Sequence, residues 1–338
     1  MPQNPATQPV LPRLAPTKTM SNIDTYLHAA TRANTRQSYQ AAVRHFEVEW
    51  GGFLPATADA IARYLADHAE SLAVNTLKQR LAALAQWHLD QGFPDPTKAP
   101  VVKKVLRGIR ALHPAQEKQA KPLQLDDLER IATWLDEAIC TAQQAGTRGT
   151  ELRHRRDKAI VLLGFWRGFR GDELARLQVE HVKAIPGEGM SCYFPHTKAD
   201  RQYAGTTFKA PALARLCPVE AVVDWMQAAQ LTRGPLFRAI DRWEHLGNTA
   251  LHPDSLVALL RTILVNAGVN SSELYSVHSL RRGFANWATS NGWDIKTLMQ
   301  YVGWKNVQTA LRYVDSADPF AKHRIAQTMP TSLPRPRD

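Results

Sequence analysis

Apolar residues recur every three or four positions over most of the chain, which is the spacing of amphipathic helices. Four such stretches come first and predict four helices. They lie at about 35–50, 58–69, 74–91 and 101–112. Together they predict a helical N-terminal domain over residues 21–113, which follows a flexible, proline-rich tail at 1–20.

A polar segment at 114–122, with a proline at each end, predicts a linker between two domains. Helical spacing resumes beyond it, except at about 190–210, where two short strands around a turn are predicted. After this stretch the pattern predicts helices only. The expected fold class is therefore mainly α in two domains. The second, mostly helical domain covers 123–329, carries a small antiparallel β-sheet and precedes a flexible tail at 330–338.

Composition and charge narrow the functional classes. The chain has 338 residues, 44% of them hydrophobic, and a formal net charge of +11 at pH 7. This charge favours an anionic partner, most simply nucleic acid, although a cationic enzyme without such a partner is an alternative. Three cysteines with no CxxC pair argue against a disulfide framework and a thiolate zinc site. Without a bilayer-length apolar run or a secretory signal pattern, a cytoplasmic location is expected.

The candidate chemistry lies in the second domain. The sequence contains no glycine-rich phosphate loop, HExxH metal motif or nucleophile elbow. It does contain a set of residues that can bind a phosphate or orient a group that does. The set is Arg170, Glu173, Lys198, His278, Arg281, Trp304 and Tyr313.

Spacing within this set suggests local pairs. Arg170 begins a helix with Glu173 one turn later, so the carboxylate could orient the guanidinium toward a phosphate. A structural ion pair between helices is the alternative. His278 and Arg281 stand at i and i+3 near a helix start, where both suit an anion. The alternative for His278 is a structural histidine.

The remaining three residues also have ordinary alternatives, since Trp304 and Tyr313 could be core aromatics and Lys198 an exposed charge. Taken in order from Gly168 to Ala326, however, the whole set resembles the tyrosine recombinase (phage integrase) family. The motifs that carry the resemblance are Arg170-Gly-Asp-Glu-Leu-Ala-Arg-Leu, Lys198 in a β-turn, His278-Ser-Leu-Arg281, Gly303-Trp-Lys-Asn-Val and Tyr313. Many members have a second histidine where this chain has Trp304, which narrows the resemblance to a tryptophan-bearing subgroup.

The resemblance implies a reaction that needs no metal, ATP or other cofactor. Tyr313 would attack a DNA phosphodiester to give a 3′-phosphotyrosine and a free 5′-hydroxyl. Arg170 and Arg281 would bind the non-bridging oxygens, and Lys198 would be the general acid for the departing 5′-oxygen. The base for the phenol is His278 or, alternatively, a neighbouring phosphate. Two further roles follow: Trp304 would donate its indole N–H, and Glu173 would orient the site.

The resemblance also implies partners. Double-stranded DNA with an inverted-repeat recombination site is the expected substrate, and association with the nucleoid follows. Phosphate contacts are expected from Lys103, Lys104 and Arg107 on the basic fourth helix. Candidate base-reading residues, whose alternative is an ordinary polar helix face, are Gln37, Ser38, Asn75, Gln79 and Arg80.

A last amphipathic segment, about 319–328, is expected to dock into a neighbouring subunit, which gives a homo-tetramer on two DNA sites. Packing on its own domain is the alternative. Two rival functions remain open at this point: a type IB topoisomerase, which shares the chemistry, and a DNA-binding or architectural protein with a decayed site.

Overall fold

The chain divides into two compact units, Met1–Lys118 and Gln119–Asp338. The computed structural model describes residues 33–114, 119–195, 197 and 204–313, together with a few positions between 22 and 31. The boundary between the units falls within the predicted linker at 114–122. The exact limits of the two domains stay predictions.

The first unit is helical throughout its described residues. Its α-helices are α1 (Ala33–Arg44), α2 (Ala58–Asp67), α3 (Val74–Asp90) and α4 (Pro100–Leu112). A π-helix, His45–Glu49, continues α1, and a short 3-10 helix, Pro96–Lys98, precedes α4. The single helix predicted at 35–50 therefore changes its hydrogen-bonding pattern at His45.

Packing in the first unit follows the predicted apolar faces. Helix α1 packs against α3, and α2 packs against α4. The core is formed by residues with no exposed surface, among them Phe46, Ile61, Tyr64, Leu77 and Leu84. Their burial supplies the main driving force for folding of this unit.

The second unit is mostly helical with two small antiparallel sheets. Its helices are α5 (Leu125–Gln144), α6 (Arg148–Arg167), α7 (Gly171–Arg176), α8 (Pro218–Ala228), α9 (Ser255–Asn266), α10 (Val277–Ser290), α11 (Ile295–Val302) and α12 (Val307–Leu311). Its strands are β1 (Val182–Ile185), β2 (Gly189–Phe194), β3 (Thr206–Pro211), β4 (Arg238–Ile240) and β5 (Leu246–Ala250). Two 3-10 helices, Val179–His181 and Ser272–Leu274, complete the set.

Helix α6 forms the centre of the second unit. Fourteen of its 20 residues are buried, and it packs against α5, α8 and α10. A helix that is covered on every side has an apolar sequence without a single polar face, which is the pattern of residues 159–166. The C-terminal end of α6 and the start of α10 together support the candidate site.

Strands β2 and β3 of the first sheet were expected, whereas β1 and the second sheet were not. Strand β2 pairs with β1 and β3, so that Cys192 lies opposite Val182 on one side and Phe208 on the other. The prediction that the chain is only helical after residue 210 is wrong, because β4 and β5 form a second antiparallel pair. These strands are short and half-exposed, so neither shows the alternation that marks a strand in sequence.

Parts of the expected organisation lie outside the described residues. They are the tails at 1–20 and 330–338 and the segment at 319–328. Within the described ranges, none of the helices is long and apolar enough to cross a membrane.

Candidate active site

The site begins where α6 ends. Gly168 adopts a left-handed conformation (φ +58°) as the residue after α6, and this turn places Arg170 directly before α7. The buried Glu173 then accepts two hydrogen bonds from Arg170, one from its backbone N–H at 2.8 Å and one from Nη1 at 2.7 Å. One carboxylate therefore fixes both the backbone and the guanidinium of this arginine.

Arg281 enters the same place from α10. Its side chain is only 1% exposed, and Nη1 donates to the carbonyl of Gly168 at 2.6 Å. Glu173 Oε2 lies 3.9 Å from the same nitrogen. A Cβ at Gly168 would meet Arg281 Cγ at an ordinary contact distance of 3.5 Å, so the glycine is needed for its left-handed φ and not for space.

The charge of Arg281 is only partly compensated. Burial, and next the cation of Arg170, lower the pKa of Arg281 to about 10. The side chain is still a cation at neutral pH. Among the described residues, its Nε and Nη2 have no hydrogen-bond partner. These buried N–H groups are donors that an anion could satisfy.

Two aromatic rings cover this guanidinium. Trp304 and Tyr313 stack with ring centroids 5.2 Å apart, and the Arg281 guanidinium carbon lies 4.9 and 5.5 Å from their centroids. Trp304 is buried, and its indole Nε1 has no hydrogen-bond partner in the described part of the chain. It follows Gly303, whose left-handed φ of +78° ends α11.

His278 meets the phenol of Tyr313 from the first turn of α10. Its Nδ1 lies 3.3 Å from Tyr313 Oη, and its side chain is exposed. Ser276 caps this helix by accepting from the backbone N–H of His278 at 3.2 Å. The imidazole therefore stands at the open edge of the site, within reach of the phenolic proton.

The structure thus brings together six of the seven residues singled out in the second domain, and Lys198 lies outside the described residues. The grouped side chains present two arginines, an indole N–H, an imidazole and a phenol around one partly open place. That combination can bind a phosphate and deprotonate a hydroxyl beside it. Among the described residues, no group of three or more histidine, cysteine, aspartate or glutamate side chains is placed to hold a metal ion.

Another buried arginine next to the site was missed by the sequence analysis. Arg167 is 2% exposed, lies 3.9 Å above the ring of Tyr301 and also faces Phe208 at 5.1 Å. Its cation contributes to the lowered pKa of Arg281. At the end of an apolar helix an arginine is typical of an exposed cap, so no signal in the sequence marked it as buried.

The candidate base-reading residues lie on α1 and α3. Gln79 donates to Ser38 Oγ at 2.8 Å, which joins the two helices, while Gln37 and Asn75 are exposed. Arg80 differs from the other four. It donates to Tyr64 Oη at 3.1 Å, toward the packed side of α2.

The candidate phosphate-binding residues, Lys103, Lys104 and Arg107, are all exposed on α4. Exposed cations on one helix are available to a DNA backbone.

Comparison with known proteins identifies a matching family and two relatives. The sequence signature of the phage integrase family matches residues 123–319. The chain is 30% identical over 277 residues to an integrase/recombinase XerD homologue of Selenomonas ruminantium, covering 80% of this chain and 77% of the relative. It is 24% identical over 281 residues to the recombinase Cre of Escherichia phage P1, covering 79% and 78%. The likeness to Cre is thus distant.

Solved structures support the fold class. The integrase of transposon Tn1549 in complex with a circular intermediate DNA matches with a TM-score of 0.57. The match covers 91% of this chain and 97% of that one at 11% identity. The expected mainly helical fold with a small antiparallel sheet is confirmed.

Proposed function

Because the chain belongs to the phage integrase family, we propose that it is a site-specific DNA recombinase that cleaves and rejoins DNA strands through Tyr313. The observation that carries the proposal is the placement of the Tyr313 phenol. Its oxygen lies 3.3 Å from His278 Nδ1, and its ring packs on the buried guanidinium of Arg281. A phenol held between a base and a cation is placed to act as a nucleophile toward a phosphate.

The reaction exchanges one ester for another. Tyr313 Oη attacks the phosphorus and forms a new P–O bond while its proton passes to His278. The bond from phosphorus to the 5′-oxygen breaks, and Lys198 donates a proton to that oxygen. The phosphotyrosyl ester keeps the free energy of the broken linkage, so a second 5′-hydroxyl can reverse the step without ATP.

Cations replace a metal at the transition state. Arg170 and Arg281 bind the non-bridging oxygens, and the indole N–H of Trp304 supplies a third donor. Glu173 orients Arg170 through its two hydrogen bonds. Each donor that is fixed before the reaction is worth about 10²–10³-fold in rate, by analogy with oxyanion holes.

The first unit supplies affinity for the duplex. Lys103, Lys104 and Arg107 bind phosphates, which gives sequence-independent binding that weakens with salt. Bases are read in the major groove from α1 and α3, with Gln37 and Asn75 as the most accessible candidates. Arg80 reads a base only if it gives up its hydrogen bond to Tyr64 Oη and donates to the base instead.

The active assembly is a homo-tetramer on two inverted-repeat sites, with the segment at 319–328 exchanged between subunits. Support comes from the sequence, in which the segment carries the apolar residues Phe320 and Ile325 among polar ones and is followed directly by Met329. The protein acts on the chromosome or an element within it, which places it with the nucleoid.

The test is covalent capture of DNA. Wild type and Tyr313→Phe are incubated in EDTA with duplexes that carry randomised inverted arms and a nick in the spacer, so that cleavage releases the 5′-hydroxyl fragment. Denaturing gels should show an adduct for wild type only, while both proteins retain duplex affinity. An adduct with Tyr313→Phe, or a requirement for metal, contradicts the mechanism. Absence of any wild-type adduct favours a decayed site.

Once DNA sites have been selected, the rejoining step distinguishes a recombinase from the remaining alternative, a type IB topoisomerase. A recombinase exchanges strands between two sites, whereas a type IB topoisomerase relaxes supercoils with one cleaved strand and no partner site.

A further inference from the structure

The turn that carries Tyr313 is held by an arginine that faces away from the phosphate-binding residues. Arg282 follows Arg281 in α10 and is 7% exposed. Its Nη1 donates to the backbone carbonyl of Arg312 at 3.3 Å and also to the side-chain oxygen Oε1 of Gln119. Two neighbouring arginines of one helix thus contact the ring of Tyr313 and the backbone just before it.

The backbone carbonyl of Arg312 needs a hydrogen-bond partner from outside its own helix. Helix α12 has only five residues, and the last carbonyls of any helix lack partners within it. Tyr313 closes the turn by donating its N–H to Ala310 at 2.9 Å. A cation that binds the carbonyl one peptide bond before Tyr313 restrains the backbone that aims the phenol.

Gln119 is placed at Arg282 by the segment that follows it. Lys121 donates its N–H to Leu274 at 2.9 Å, and Leu123 donates to Ser279 in α10 at 3.0 Å. A Cβ at Gly283 would lie 2.1 Å from the carbonyl oxygen of Leu123, so this segment lies directly on α10. Gln119 itself is exposed at the start of the second unit.

We propose that Arg282 is a positioning residue for the nucleophile, and that Gln119 acts through it by holding its guanidinium against the Arg312 carbonyl. The proposal rests on the function of Tyr313 proposed above. Arg282 contacts the backbone directly before Tyr313 and Gln119 contacts Arg282, so their effect is on the aim of the phenol and not on charge stabilisation.

Four variants test this: Gln119→Ala, Arg282→Ala, Arg282→Lys and the double Gln119→Ala/Arg282→Ala. The measurement is the single-turnover rate of adduct formation at saturating DNA. Arg282→Ala should slow cleavage about 10–100-fold, because a misplacement near 1 Å costs about this much. Gln119→Ala should slow it about 3-fold, as expected for one ordinary hydrogen bond. The double variant should match Arg282→Ala alone, since Gln119 acts only through the arginine.

The conservative variant and a control separate positioning from folding. Arg282→Lys keeps a cation beside Arg312 and should recover part of the rate. Arg153 donates to the backbone carbonyl of Asp241 at 3.0 Å, the same type of bond at the second sheet, so Arg153→Ala should cleave like wild type. Melting temperature and DNA affinity are measured for every variant and should change little for Gln119→Ala.

A substrate with sulfur in place of the bridging 5′-oxygen separates positioning from proton donation. The thiolate leaves without a proton, so a defect in the general acid disappears with this substrate. The defect of Arg282→Ala should persist at the same size, because attack by a misplaced phenol is slow whatever group leaves.

The proposal is overturned if Arg282→Ala cleaves at the wild-type rate, or if the substrate with bridging sulfur restores the cleavage rate of this variant. It is also overturned if the fold-reduction in rate of the double variant equals the product of the two single fold-reductions. If Arg282→Ala does not fold, Gln119→Ala and Arg282→Lys decide the outcome, and wild-type rates in both reject the proposal. Failure of wild type itself to form an adduct is a different result, which rejects the proposed function and this inference with it.

Discussion

Removing the charge of Glu173 while keeping its shape tests the electrostatic design of the site. Glu173→Gln leaves an amide oxygen to accept from Arg170, but it removes the one carboxylate that the described residues place near both Arg170 and Arg281. With the 3.9 Å separation from Arg281 and an effective dielectric constant near 20, the lost attraction is about 4 kcal/mol. The glutamate and Arg281 side chains are at most 5% exposed, so little solvent screening applies.

We therefore expect Glu173→Gln to destabilise the second unit by about 3–5 kcal/mol, the usual cost of breaking a buried ion pair from one side. For a unit of this size the melting temperature should fall by roughly 10 °C. An anion at the site can replace the lost charge. Sulfate or a short duplex should therefore raise the melting temperature of this variant more than that of wild type, by mass action.

Glu151 provides a matched control. It is buried to the same degree and bonded to Arg148 at 2.7 Å and Arg155 at 2.8 Å, but it contacts none of the site residues. Glu151→Gln should lose similar stability and gain from sulfate only as much as wild type does. Calorimetry of the three proteins with increasing sulfate gives the comparison. Equal sulfate responses in both variants, or an unchanged melting temperature for Glu173→Gln, refute the electrostatic argument.

Two further predictions concern an indole donor and a set of three cations. Trp304→Phe should keep the stack on Tyr313 and change the melting temperature little, because the smaller ring leaves a cavity while a buried N–H without a partner is removed, yet it should slow cleavage by about 10²-fold or more. The control is Trp225→Phe, which loses the 2.8 Å hydrogen bond from its indole N–H to the carbonyl of Leu236 and should therefore be destabilised more strongly. Equal cleavage rates for Trp304→Phe and wild type contradict a donor role for the Trp304 indole. Neutralising Lys103, Lys104 and Arg107 together should reduce the slope of log affinity against log salt by about 2.7, as measured by fluorescence anisotropy. An unchanged slope excludes these residues from the phosphate contacts.

Local signals in the sequence were enough to predict most helices. Thr57 is an example, because its hydroxyl accepts from the N–H of Ala60 at 3.2 Å as an N-cap does. The π-helix at His45–Glu49 and the strands β4 and β5 had no such signal. Their backbone is determined by packing against other parts of the chain, and tertiary context overrides weak local preference.

The sequence predicted which residues belong to the site more easily than which of them are buried. Helical spacing places His278 and Arg281 on one face, yet the structure leaves the first exposed and buries the second. The difference comes from Gly168, which stands 113 positions earlier and supplies the carbonyl that Arg281 binds. Contacts at that separation leave no trace in periodicity, and the burial of Arg167 was missed for the same reason.

Three buried donors of the site lack a hydrogen-bond partner among the described residues, and a bound phosphate could supply one. Arg281 Nε and Nη2 and Trp304 Nε1 are buried without a hydrogen-bond partner in the described part of the chain, and each such group costs a fold about 1–3 kcal/mol. Folding alone gives no reason to keep them, whereas a phosphate has enough oxygens to accept from all three. Each of these atoms has less than 1 Å² of exposed surface, so a phosphate reaches them only when the rings of Trp304 and Tyr313 over Arg281 shift. We therefore expect one bound phosphate to raise the free energy of unfolding of the second unit by more than attraction to the exposed cations of that unit accounts for.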